Sequence, residues 1–346
     1  MATLFDPLTI GNVTFPARAA MSPMLMYMAG EDGLATEQHL VHYGARILGG
    51  IGTVLTEVVA VSPEGRISTS DLGLWNDSQI EGLRRITDFA HANGAVIGVQ
   101  LAHAGRKSTS QERGLAPTAA AYGDLPVPRA LEALELAAIV DDYRSATRRA
   151  VAAGFDFVEL HAAHGYLLHS FLSPISNLRT DGFGGDHSRR GRLVAEVVDA
   201  IRAELPAGAP LLVRITATDA RDGGITIDDA ELTARELVER GVDLFDVSTG
   251  NVLPGYAPHV FPGYQAHYAT ELRQRTGARV ASVGSISTAE LADQLVSSGA
   301  VDMVFIGRAL LRDPFWMMRA AQSAGVDFPL PIPTYARATG PYERGF

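Results

Sequence analysis

"LAAIVDDYRSATRRAVAAGFDFVELHA", residues 136–162, decides the fold. Residues 136–154 carry apolar side chains at helical spacing and close on Gly154, which suits a left-handed helix stop. Residues 155–162 form a short β-rich run, apolar on both alternating faces, as expected of a parallel strand covered by helices. The same unit recurs along the chain. Candidate strands are ARAAMSPM (17–24), GTVLTEV (52–58), AVIGVQLA (95–102), FDFVELHA (155–162), PLLVRITA (210–217), DLFDVST (243–249), RVASVGS (279–285) and DMVFIGR (302–308). Between them, DSQIEGLRRITDFAHANG (77–94), DDAELTARELVERG (228–241) and STAELADQLVSSG (287–299) read as capped amphipathic helices ending in glycine. In the first of these, Asp77 and Ser78 are the cap candidates.

Alternation sustained over eight units predicts an α/β fold, a (βα)8 TIM barrel with its active site at the C-terminal ends of the strands. The competing open sheet would need a phosphate loop after the first strand. GGIGTVL (49–55) fails that spacing, and no Walker-type loop occurs. The expectation is one domain over 1–346, with an insertion at 103–135 near the barrel mouth and a Pro-rich extension from about 329.

The net charge of −10 argues against nucleic acid or an anionic membrane as partner. The absence of cysteine excludes disulfides, thiolate metal sites, iron–sulfur clusters and cysteine nucleophiles. No signal-peptide pattern opens the chain, so a cytoplasmic location is expected.

The strand ends are polar. They offer Ser22-Pro23-Met24, Glu57, Gln100 and His103, then His161 and His164, Arg214, Ser248, and finally Gly284-Ser285 and Gly307-Arg308. The last two pairs read as a barrel phosphate site, glycine-turn amides beside a cation, or as tight turns with a rim charge. His161 and His164 admit three readings: metal ligands with Glu159, buried structural histidines, or an anion- or carbonyl-binding pair with Tyr166 as proton donor. The corresponding functions are a metal-dependent hydrolase, a binding barrel and a carbonyl-activating enzyme.

MSPMLMY (21–27), QLAHAGRK (100–107), HAAHGYLLHSFLSPISNLRTDGFGG (161–185), FPGYQ (261–265), FIGRALLRDP (305–314) and PYERGF (341–346) resemble the Old Yellow Enzyme family of flavin-dependent ene reductases. The terminal motif is similar to that of its thermophilic-like bacterial branch. The resemblance implies non-covalent FMN and NADPH or NADH as hydride donor at a shared site. It implies that Gln100 and Arg214 hold the flavin's pyrimidine edge, and that Ser22, Pro23, Met24, Leu25 and Val58 line the ring. Gly284, Ser285, Gly307 and Arg308 would take the phosphate. His161 and His164 would bind the oxygen of an activated alkene, hydride would go to its β-carbon, and Tyr166 would protonate the α-carbon. Tyr27 and Arg344 are the implied substrate residues, Arg344 reaching into a neighbouring subunit of a homodimer or dimer of dimers. No metal is implied. The branch usually has cysteine, and its eukaryotic relatives threonine, where this chain has Leu25. A side chain that can neither donate a hydrogen bond nor ionise is expected to shift the flavin potential and to make the substrate face drier. It also leaves a dedicated dehydrogenation as an alternative direction.

Overall fold

The computed structural model describes residues 2–256 and 258–338. Eight parallel strands form the centre: β1 (Ala19–Met21), β2 (Thr53–Ala60), β3 (Val96–Ala102), β4 (Phe157–Ala162), β5 (Leu211–Thr216), β6 (Leu244–Ser248), β7 (Val280–Val283) and β8 (Met303–Ile306). β1 pairs with both β8 and β2, which closes the barrel. Around it lie α1 (Glu37–Leu48), α2 (Ile80–Ala92), α3 (Leu136–Ala152), α4 (His187–Glu204), α5 (Ile227–Glu239), α6 (Ala266–Thr276), α7 (Ala289–Ser297) and α8 (Trp316–Ala324). Both faces of β4 are buried: Val158 and Leu160 join the core shared with the helices, and Phe157 faces the barrel interior. This is why the strands read as continuous apolar runs.

The ends depart from expectation for local reasons. β1 stops at Met21, two residues before Pro23, which has no N–H for a ladder. β2 runs on to Ala60 past an irregularity between Leu55 and Val58. β7 stops before Gly284, whose φ of +122° no strand accommodates. The cap ahead of α2 falls one residue earlier than expected. Asn76 caps a 3-10 turn at Asp77–Gln79 ahead of α2, Thr226 caps α5 and Thr288 caps α7. In each case the capping side chain sits on extended backbone, from which its oxygen reaches an amide of the first turn.

An unpredicted antiparallel hairpin, Leu8–Ile10 with Val13–Phe15, packs at the N-terminal end of the barrel. Leu8, Ile10 and Phe15 join Leu55, Phe157, Leu212, Leu244 and Met303 in a buried apolar cluster. Gly11 turns the hairpin at φ +57°, and a Cβ there would lie 1.9 Å from Gly208 O. The 103–135 insertion folds into a 3-10 turn at Gly105–Lys107 and a short strand pair, Leu115–Ala116 with Arg129–Ala130. Among the described residues no helix is long and apolar enough to cross a membrane. Arg344 and the whole PYERGF motif lie outside the described residues.

Candidate active site

Strand alternation stacks the barrel interior in layers. β4 presents Phe157, Glu159 and His161; β5 presents Leu212, Arg214 and Thr216; β6 presents Leu244, Asp246 and Ser248. In register, Arg214 lies opposite His161 on one side and Asp246 on the other. The middle layer is polar and dry. Gln100 Nε2 donates to Glu159 Oε1 at 2.6 Å, and Arg214 Nε lies 3.1 Å from Asp246 Oδ2.

Above it, the His161 and His164 rings meet edge-on with centroids 5.2 Å apart, and the Tyr166 ring lies 4.8 Å from His161. Ala163 N–H donates to His161 Nδ1, so the ring proton of neutral His161 sits on Nε2. His164 adopts φ +60°, a left-handed turn held from three sides. Its N–H donates to Thr216 Oγ1 at 3.1 Å, Lys107 Nζ donates to its carbonyl at 2.9 Å, and its Nε2 lies 2.6 Å from Ser248 Oγ. Burial, reinforced by the Arg214 cation, holds both imidazoles well below the usual histidine range, so both are neutral at neutral pH. Burial also raises the Tyr166 phenol, which therefore keeps its proton. Lys107 Nζ sits 4.9 Å from the Tyr166 ring centroid and 4.5 Å from that of Tyr122, and burial pushes its ammonium down to about 8.

His169 is structural, with a partner at each ring nitrogen. Its Nδ1 accepts from Gly165 N–H at 2.6 Å, and its Nε2 lies 3.1 Å from Asp219 Oδ1. Asp219 Oδ2 in turn accepts from Ser173 Oγ and Ile225 N–H. This brace fixes the turn that carries His164 and Tyr166.

A cavity of about 440 Å³ joins His164 and Arg214 to the ends of β7 and β8, with Met24, Gly284, Ser285, Gly307 and Arg308 among its lining. A Cβ on Gly284 would lie 2.8 Å from Gln265 Nε2, so the turn tolerates only glycine while Gln265 stays in place. Arg308 Nη2 donates to Ser285 Oγ at 3.0 Å. Of the other expected site residues, which lie outside that cavity's lining, Ser22, Val58 and Gln100 are buried, Pro23 and Leu25 are half-buried, and Tyr27 is exposed at the rim with φ +54°. Glu57 pins that rim loop: Oε2 accepts Met26 N–H at 2.9 Å, and Oε1 accepts Tyr43 O–H at 3.0 Å.

Sequence reasoning missed Lys107, Asp219, Asp246 and Gln265 as parts of the site. Lys107 and Gln265 lie inside the quoted QLAHAGRK and FPGYQ stretches, whereas no spacing rule pointed to the two aspartates. Among the described residues, no three His, Asp or Glu side chains gather as a metal site. Glu159 lies one layer below His161 and is held by Gln100, which removes it from the metal reading.

The donor set fits FMN. A buried cation, Arg214, at one end of the cavity suits an electron-poor, hydrogen-bonding ring. At the other end, glycine-turn amides with Arg308 suit a phosphate. The chain matches the family model described as NADH:flavin oxidoreductase / NADH oxidase over residues 3–325. Morphinone reductase in complex with tetrahydroNAD is similar at 29% identity, over 96% of this chain and 94% of that one, with a TM-score of 0.80. The Old Yellow Enzyme homologue from Zymomonas mobilis is similar at 26% identity, over 96% of each chain, with a TM-score of 0.80. A 2-naphthoyl-CoA reductase complexed with 2-naphthoyl-CoA shares the fold at 24% identity and a TM-score of 0.88, and this chain spans 52% of its length. The chain belongs to the NADH:flavin oxidoreductase / NADH oxidase family, the Old Yellow Enzyme family, and is a flavin-dependent oxidoreductase.

Proposed function

We propose that the protein is an FMN-dependent ene reductase acting on α,β-unsaturated carbonyls, imides or nitroalkenes. The observation that carries this reading is the pair of neutral imidazoles, His161 and His164, packed against each other and against a protonated Tyr166, with His164 and Arg214 lining the cavity beside them. When bound, FMN supplies the hydride that NADH or NADPH provides, delivered to the β-carbon. Everything else falls to the chain's own groups.

The ring N–H of His161 on Nε2, with the His164 imidazole, donates to the substrate's carbonyl or nitro oxygen. Neutral donors fixed in a water-poor site stabilise the negative charge that develops there without transferring a proton. The Tyr166 O–H protonates the α-carbon, and burial keeps that proton available until it is needed. Lys107, over the Tyr166 ring, stabilises the phenolate that remains. Gln100 and Arg214 hold the pyrimidine edge of FMN, and Gly284, Ser285, Gly307 and Arg308 hold its phosphate. Ser22, Pro23, Met24, Leu25 and Val58 form the wall, to which Leu25 brings no donor. Tyr27 at the rim, and Arg344 from a neighbouring copy, close the substrate side in a homodimer or dimer of dimers.

The test is anaerobic. Protein reconstituted with FMN should be yellow, bleach with NADH or NADPH, and regain its colour when a cyclohexenone, maleimide or nitroalkene is added. Protein that takes up no FMN, or that none of these alkenes re-oxidises, overturns the reading.

A further inference from the structure

The middle layer of the barrel holds one fixed cation and two carboxyl groups. Arg214 comes from β5, Glu159 from β4 and Asp246 from β6, and Gln100 from β3 completes the ring. Glu159 and Asp246 are both 0% exposed. Glu159 Oε1 is filled by the Gln100 amide, but Glu159 Oε2 and both Asp246 oxygens have no hydrogen-bond partner among the described residues. Arg214 Nε stands 3.1 Å from Asp246 Oδ2 without the alignment of a hydrogen bond. Two carboxylates against one guanidinium would leave a net negative charge in a sealed interior, which costs several kcal/mol. Three acceptor atoms without a donor add to that cost. One proton removes the excess charge and turns one of the three acceptors into a donor.

We infer that Glu159 and Asp246 share a single proton, carried on Glu159, and that this neutral acid is the positioning group for Gln100 and Arg214. The proton belongs on Glu159 because the guanidinium stands 3.1 Å from Asp246, whereas the group hydrogen-bonded to Glu159 is a neutral amide. Burial and the Asp246 charge both push the Glu159 carboxyl well above the usual carboxylate range, with Arg214 and Gln100 opposing them. Burial raises Asp246 as well, and Arg214 counters it. With Oε2 protonated, the layer gains one O–H donor and carries no net charge. Glu159 Oε1 remains the acceptor that draws Gln100 Nε2 downward. The Gln100 carbonyl is then left to face the mouth, and Arg214 remains a cation whose charge Asp246 partly balances. The consequence for the cofactor rests on the function proposed above; the shared proton does not.

Infrared spectroscopy of the apoprotein tests the proton directly. At about pH 9, where Glu57 (pushed up to about 7) is ionised, a buried carboxylic C=O band should remain. It should shift on 13C-glutamate labelling and stay in place on 13C-aspartate labelling. Asp246→Asn should abolish the band, because Glu159 then becomes the only counter-charge to Arg214 and ionises. Glu159→Gln should also abolish it, yet keep the dissociation constant for FMN within about threefold, since an amide replaces a neutral acid. A merely structural role would not make a substitution at Asp246 change the protonation of Glu159. Absence of the band in unmutated protein, a shift only with labelled aspartate, or its survival in Asp246→Asn overturns the inference. If the band behaves as expected but FMN does not bind, the shared proton stands and the flavin reading falls.

Discussion

The two poles of the barrel are built from the same strands and do opposite things. On β4, Phe157 and His161 are four residues apart, roughly 13 Å along a strand. Phe157 is sealed among Leu8, Phe15, Leu212 and Leu244 by the N-terminal hairpin. His161 shares the open mouth with His164 and Tyr166. The lower pole satisfies packing alone. The upper pole keeps neutral histidines, a weakened lysine and a left-handed His164, and depends on braces such as His169–Asp219 to hold them. Stability and chemistry are therefore separable along one strand, and substitutions at its two ends should affect different measurements.

The largest effect is expected at the mouth. Tyr166→Phe should slow reduction of the alkene by about 10²–10⁴-fold while the protein unfolds at nearly the wild-type denaturant midpoint. Rapid-mixing measurement of flavin re-oxidation, paired with a urea titration, checks both halves. Phe157→Ala should do the reverse, lowering the unfolding free energy by about 3–5 kcal/mol with turnover per folded molecule preserved. A collapse in turnover by folded Phe157→Ala would break the separation.

Two smaller effects sharpen it through pH. Lys107 is a cation below about 8 and neutral above, so a rate that depends on its charge should fall as pH rises through about 8. That limb should be missing from the pH profile of Lys107→Met. The same depressed value, below the ordinary 10.5, means that the unfolded chain binds more protons between the two. This group's contribution to stability therefore rises with pH across that window. Glu57 runs the other way. Its carboxyl is raised from 4.5 to about 7, chiefly by burial, so its contribution is fully present below 4.5 and is lost as pH rises toward 7. Chemical denaturation across that range should show the loss, and Glu57→Gln, which keeps an acceptor for Met26 N–H, should flatten it.

The barrel was legible because each strand repeats one signal, an apolar run, and from β2 onward a glycine lies a few residues before it. The histidine pair and the glycine turns were legible because strand ends gather at one face whatever the loops do. The hairpin was not. Strands of three residues are too short for periodicity, and its role appears only when the barrel it plugs is closed. Nor was the Glu159–Asp246 layer. Glu159 alternates with His161, which left a shared ligand open, but each step of two residues along a strand is also a step in depth. Which layer a side chain occupies depends on neighbouring strands far away in sequence. Asp219 and Asp246 were invisible for the same reason: their partners are set by packing between strands and loops, not by spacing along the chain.

The central claim, that the mouth delivers one hydrogen through the flavin and the other from Tyr166, is tested most directly by where isotopes land. Turnover of 2-methylcyclohexenone with donor deuterated at the transferable nicotinamide position should place deuterium on the β-carbon. The same reaction with unlabelled donor in heavy water should place deuterium on the α-carbon. Donor label at the α-carbon, or a β-hydrogen taken from solvent, would contradict it.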